Sequence, residues 1–159
     1  SEKRIRLSPV IYSGKSISAV AIAAHEVGHA IQYHRKESIT KLREKLTPIA
    51  FVAEKISIGL LTLSPFLILI FKVPHIGIFA ILASLISLAL SVIVQFIILP
   101  MEWDASFNKA LPILIEGEYL SESEIPAARK ILRAAAMTYV AATLSSILSI
   151  WRWLLLLRR

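Results

Sequence analysis

The chain has 159 residues, 56% of them hydrophobic, a mean hydropathy of +0.68 and a formal net charge of +7. That length fits one domain, and so apolar a composition excludes an ordinary water-soluble one, which leaves an all-α membrane protein as the expected class. With no cysteine, disulfides and thiolate metal sites are excluded as well.

Residues 4–8 (RIRLS) alternate basic and apolar and predict a small N-terminal strand with Ile5 and Leu7 on one face, broken by Ser13 and Gly14. Ser16 is a suitable N-cap for a short helix of about five turns, ISAVAIAAHEVGHAIQYH. Its alanines and Gly28 give that helix a thin profile against which another helix can pack closely. Residues 35–47 are charged and amphipathic, suited to the membrane surface. Thr47-Pro48 then matches an N-cap followed by proline in the first turn and predicts the start of a first membrane span at 48–71. The connection at 72–75 (KVPH) is short, so a second span at 76–99 forms an antiparallel hairpin with the first. This second span carries no charge across 24 residues, more than the ~20 needed to cross a bilayer. Pro100 is expected to end it, with MEWDASFNKAL starting a new helix and Glu102 in its first turn. Residues 116–120 form a turn, and Ser121-Glu122-Ser123-Glu124 fits a capping box for a last helix that runs into a third span at 134–157. The whole chain, 1–159, reads as one membrane-embedded domain with functional segments at 1–47 and 100–133.

The placement of charge supports membrane topology rather than nucleic-acid binding. Residues 1–47 hold nine Lys/Arg and residues 100–133 hold four, whereas the opposite side would have only Lys72, Arg158 and Arg159. Three spans put the two basic regions on one side, and the positive-inside rule makes that side cytoplasmic. No nucleic-acid motif or aromatic interleaving accompanies the basic residues, so no nucleic-acid partner is expected.

Residues 25–29 (HEVGH) lie in a run where almost nothing else ionises. Positions four apart share a helix face, so His25 and His29 can both present an imidazole nitrogen to one ion. Glu26 falls beside them, as a carboxylate that can take a proton from a zinc-bound water. Burying two histidines and a glutamate without a partner is costly, and a bound ion removes that objection. A catalytic zinc site needs a third protein ligand. Most other acidic residues lie in solvated charge runs, while Glu102 and Asp104 sit at the membrane boundary. Being two apart on a helix, they cannot both face one ion. Ser106, four past Glu102, shares its face and is placed to hydrogen-bond a ligand. His34 and His75 read as surface residues.

The segments LSPVIYSGKSISAVAIAAHEVGHAIQYH, LPMEWDASFNKAL and ARKILRAAAMTYVAATL, in that order and spacing, resemble the YugP-like family of membrane-bound neutral zinc metallopeptidases. That family is more distantly similar to the HtpX-type and CAAX prenyl proteases, which have a gluzincin-like zincin site. There a glutamate on a second helix is the third zinc ligand, with an aspartate four residues later. Carried over, these positions are Glu102 and Ser106, so serine stands where the distant group has aspartate. The family typically has a membrane helix ahead of the region that begins here, so the resemblance also implies a truncated or processed form.

Together these features lead to the expectation of a zinc-dependent membrane endopeptidase in the plasma membrane, its site facing the cytoplasm. His25, His29 and Glu102 would hold Zn²⁺, with water in the fourth place and Glu26 as general base and then proton donor. Its partners would be the lipid bilayer and a peptide or protein substrate, membrane proteins among them, pairing with the edge of strand 4–8. His34, Arg129, Arg133 and Tyr139 are candidate oxyanion donors that sequence does not rank. Two rivals stand beside this expectation. One is an intramembrane protease of the site-2 type, whose Asn-Pro or Leu-Asp-Gly type motif is not found here. The other is a non-catalytic membrane scaffold with a structural metal site.

Overall fold

A computed structural model describes residues 4–72, 74–138, 140, 141, 144, 145 and 148. The elements in chain order are α1 (Pro9–Ser13), α2 (Ile17–His34), α3 (Ser38–Phe71), α4 (Pro74–Trp103), a π-helical segment (Asp104–Ala110), α5 (Leu111–Glu116) and α6 (Ile125–Ala136). They fall into two compact units, Ser1–Leu42 with Ile98–Tyr139 and Arg43–Ile97 with Val140–Arg159.

The first unit gathers the functional segments. Ser16 caps α2 as expected, its Oγ accepting from the Ala19 N–H at 3.2 Å. The core of this unit is small and aliphatic: Ala21 and Ala24 of α2 pack with Ala110, Leu111 and Leu114 and with Ala128 and Leu132 of α6. On α6 the buried residues are Ala128, Leu132 and Ala136, one stripe at four-residue spacing. Small side chains let the backbones approach. At Gly28 the approach is close: a Cβ there would lie 2.4 Å from the Ala105 carbonyl oxygen.

The strand expected at 4–8 is absent: these residues are not in a strand, and no strand occurs among the described residues. A two-residue alternation makes a strand only where a neighbour completes the hydrogen-bond ladder. What the sequence holds instead is a helix start. Ser8 accepts from the Ile11 N–H at 3.4 Å and Pro9 opens α1, so Ser13-Gly14 ends a helix rather than a strand. Pairing of a substrate with that strand edge therefore has no basis.

The second unit contains most of α3 and α4. α3 ends at Phe71 and α4 starts at Pro74, with Lys72 at φ 53°. The Ser84 hydroxyl lies 3.0 Å from the Ser57 hydroxyl and donates to the Ser57 carbonyl at 2.9 Å. Buried positions along the pair are Ala50, Ala53, Ser57, Leu61 and Ser64 on α3 and Ala80, Ser84, Leu88 and Ser91 on α4. Exposed positions include Leu69, Phe79 and Ile86. Small and polar residues inside with large aliphatics outside is the reverse of a water-soluble helix pair and suits lipid. Two helices among the described residues, Ser38–Phe71 and His75–Glu116, are long and apolar enough to cross a membrane. The third span expected at 134–157 falls largely outside the described residues.

Prolines mislead at two element boundaries. Thr47-Pro48 does not open a span, because α3 begins ten residues earlier at Ser38 and contains both Pro48 and Pro65. Likewise Pro100 lies inside α4, which continues to Trp103, so Glu102 is near the end of a helix rather than in the first turn of a new one. A helical proline frees the carbonyl four residues back, and in membrane helices nearby hydroxyls re-satisfy it. Here the Ser64 hydroxyl donates to Leu61 O, the carbonyl that Pro65 frees, at 2.9 Å. The capping box at 121–124 is half formed. Glu124 Oε2 accepts from the Ser121 N–H at 2.9 Å and from its hydroxyl at 2.7 Å, while α6 itself starts at Ile125. These two donors, the hydroxyl first, hold the Glu124 carboxyl below its ordinary value.

Candidate metal centre

His25 and His29 occupy one face of α2, one turn apart, with their Nε2 atoms 3.1 Å from each other. Glu102, near the end of α4, brings Oε2 to 3.0 Å from His29 Nε2 and 3.4 Å from His25 Nε2. His25 and Glu102 are buried, Glu102 to 1% exposure, and His29 is half-buried. The structure thus brings together the three residues expected to ligate, and they form the His/Asp/Glu cluster with metal-ligand spacing found among the described residues.

The outer nitrogen of each ring is already engaged, which fixes what the inner one offers. Ser106 donates its hydroxyl proton to the Leu132 carbonyl at 3.1 Å, so toward His25 Nδ1, 2.9 Å away, it presents a lone pair and accepts. At His29, Nδ1 lies 3.0 Å from Gln32 Oε1, an oxygen that can only accept. Both rings therefore place a proton on Nδ1 and turn Nε2 toward the carboxylate oxygen of Glu102, so that each neutral ring would offer its Nε2 lone pair there. With the rings neutral, three acceptors converge at a largely buried point, and a cation among them relieves their repulsion. Bonds of ~2.0–2.1 Å in a tetrahedral zinc site put neighbouring ligand atoms about 3.3 Å apart. The observed edges of 3.0, 3.1 and 3.4 Å match that closely, so the residues present fit zinc.

Two local features create this geometry. Gly28, between the histidines, permits α2 to lie against the backbone of Ala105. The π-helical turn, in which the Leu111 N–H reaches back to Ser106 O, widens the helix just past Glu102. Glu102 and Asp104 diverge, as their spacing requires. Asp104 does not join the cluster; it accepts from Gln32 Nε2 at 2.7 Å, from Asn108 Nδ2 at 2.9 Å and from Lys109. Lys109, with its side chain nearly buried, also pairs with Glu37 at 3.2 Å.

Glu26 is half-buried on α2, one position past His25. Among the candidate oxyanion donors, His34, Arg129 and Arg133 are exposed, and Tyr139 lies outside the described residues; His75 is exposed too. Gln32 was not singled out by its sequence. Its sequence signal was a polar amide three past His29, on the same helix face, in an otherwise apolar run; the structure shows that it is fully buried.

The family described as "Putative neutral zinc metallopeptidase" matches residues 1–158. The chain belongs to that family. It is 35% identical over 152 residues to "Putative membrane protease YugP" of Bacillus subtilis (strain 168), covering 96% of this chain and 64% of that relative. The chain thus spans a little under two thirds of the relative's length. No solved structure matches it. Family and geometry point to the same element, since the cluster built by α2 and the end of α4 has the donor set of a zinc centre.

Proposed function

We propose that this chain is a zinc-dependent membrane endopeptidase in which His25, His29 and Glu102 hold the metal and Glu26 is the general base. The observation that carries this is the convergence of two Nε2 atoms and one carboxylate oxygen within 3.4 Å, with each Nδ1 turned to a hydrogen-bond acceptor elsewhere. When bound, zinc supplies Lewis acidity, lowering the pKa of water and polarising a peptide carbonyl. The chain's own residues do the rest. Glu26 takes the proton of the attacking water and returns it to the leaving amine, a single carboxylate serving as base and then acid. Neutral histidines leave the metal's charge only partly offset by Glu102, which preserves its acidity. Ser106 and Gln32 hold the two rings so that neither turns out of line.

The peptidase works at the cytoplasmic face of the plasma membrane on peptide or protein substrates, membrane proteins among them. Support comes from the basic residues concentrated in 1–47 and 100–133 and from two helices able to cross a bilayer between those regions. Purified chain in lipid nanodiscs, assayed for zinc and for cleavage of an unfolded test protein, provides the test. Glu26→Gln should keep its zinc and lose about 10²–10⁴-fold in rate. Cleavage at the wild-type rate by zinc-loaded Glu26→Gln would refute the mechanism.

A further inference from the structure

We infer that Gln32 is a positioning residue that sets two of the three ligands at once: the His29 ring and the backbone carrying Glu102. The inference rests on the cluster being a zinc site. Gln32 is fully buried, with no exposed surface, and its amide is bonded at both ends. Nε2 donates to the Met101 carbonyl at 3.0 Å and to Asp104 Oδ2 at 2.7 Å. Oε1 faces His29 Nδ1 at 3.0 Å.

The direction of the amide is decided by its surroundings. A carbonyl only accepts, and Asp104, which takes hydrogen bonds from Asn108 and Lys109, also accepts here. The NH₂ end must face these two groups, which leaves the oxygen for His29 and assigns the ring proton to Nδ1. A carboxylate on a ligating histidine is a common arrangement. Here the carboxylate of Asp104 acts one amide removed, paired with Lys109, which it shares with Glu37. Met101 immediately precedes Glu102, so the bond from Gln32 to Met101 O also ties α2 to the backbone that presents the third ligand. Ser106 also ties α2 to this helix, but through the His25 ring and four residues past Glu102, with its other bond to Leu132 on α6.

The test compares Gln32→Met, nearly isosteric but without hydrogen bonds, with Gln32→Asn, which keeps an amide too short to make them. Zinc affinity is read by competition with a chromophoric chelator in nanodiscs, the visible spectrum of bound Co²⁺ reports coordination, and the metal-free melting temperature reports the fold. Both variants should bind zinc about 10–100-fold more weakly, with an altered Co²⁺ spectrum. Adding Asp104→Asn to Gln32→Met should cost no further affinity, because Asp104 acts through the amide. A packing role predicts instead that Met restores wild-type affinity. Affinity within twofold of wild type in Gln32→Met, or losses that multiply in the double variant, would overturn the inference. Should Gln32→Met fail to fold, Gln32→Asn decides by the same twofold criterion. Failure of the proposed function has a different signature, since wild type itself would then bind no zinc at this cluster.

Discussion

Gly28→Ala probes the backbone contact beside the candidate metal centre, and two opposing effects set its outcome. Alanine favours a helix over glycine by about 1 kcal/mol. Against this, the added Cβ would stand 2.4 Å from the Ala105 carbonyl oxygen and 3.1 and 3.2 Å from its carbonyl carbon and Cα. All three obstacles are backbone, so no rotamer change relieves them. Overpacking of this kind costs about 1–3 kcal/mol, and a backbone obstacle belongs at the upper end. The clash therefore wins, by roughly 1–2 kcal/mol net. Relief requires α2 and the π-helical segment to separate by at least about 0.6 Å, because interiors are already close-packed. Ser106 would move with Ala105, stretching its 2.9 Å contact to His25 to about 3.5 Å, the limit of a useful hydrogen bond. Gly28→Ala should thus lower both the metal-free melting temperature and zinc affinity. Gly59→Ala is the control: a Cβ there meets nothing within 4 Å, so only the favourable helix term remains. Thermal unfolding and chelator competition on both variants decide the matter. Gly28→Ala with wild-type stability and zinc affinity would refute the close-contact account.

Two further outcomes are expected elsewhere. Ser106→Ala removes the acceptor for His25 Nδ1 and should weaken zinc binding about 10-fold or more, with a stability loss of about 1 kcal/mol, measured by chelator competition and thermal melting; an undiminished affinity would show that His25 needs no such support. Glu124, held by the Ser121 hydroxyl and N–H, has a depressed folded pKa, so its contribution to stability is present above the unfolded carboxylate value and is lost as pH falls through the folded one. In Ser121→Ala the Glu124 titration, followed by NMR, should move up toward the ordinary value, and an unmoved titration would contradict the hydroxyl's role.

The residues of the candidate cluster were legible because their signals are local and chemically sparse. His25 and His29 needed only helical periodicity, and Glu102 followed from the small number of acidic residues outside solvated runs, together with the family resemblance. Ser106 was legible for the same reason, as it lies four past Glu102. Gln32 was overlooked because an amide in an apolar run gives no charge signal, although its i, i+3 relation to His29 was available. Element boundaries were less legible. Pro48 and Pro100 look like helix starts and stops in water, but both lie inside helices long and apolar enough to cross a membrane, where proline is tolerated. The alternation in RIRLS suggested a strand whose pairing partner no local pattern could supply, and the helix start at Ser8-Pro9 within the same few residues was the stronger signal. Nothing in DASFNKA marks a π-helix, a segment that packs against Gly28 at Ala105.

Zinc content of the purified chain, beside that of Glu102→Ala, tests the central claim most directly. Wild type should hold about one zinc per chain and Glu102→Ala should lose most of it, because a third ligand is being removed. Wild type without zinc, or Glu102→Ala with an undiminished zinc content, would contradict the assignment of His25, His29 and Glu102 as one metal centre.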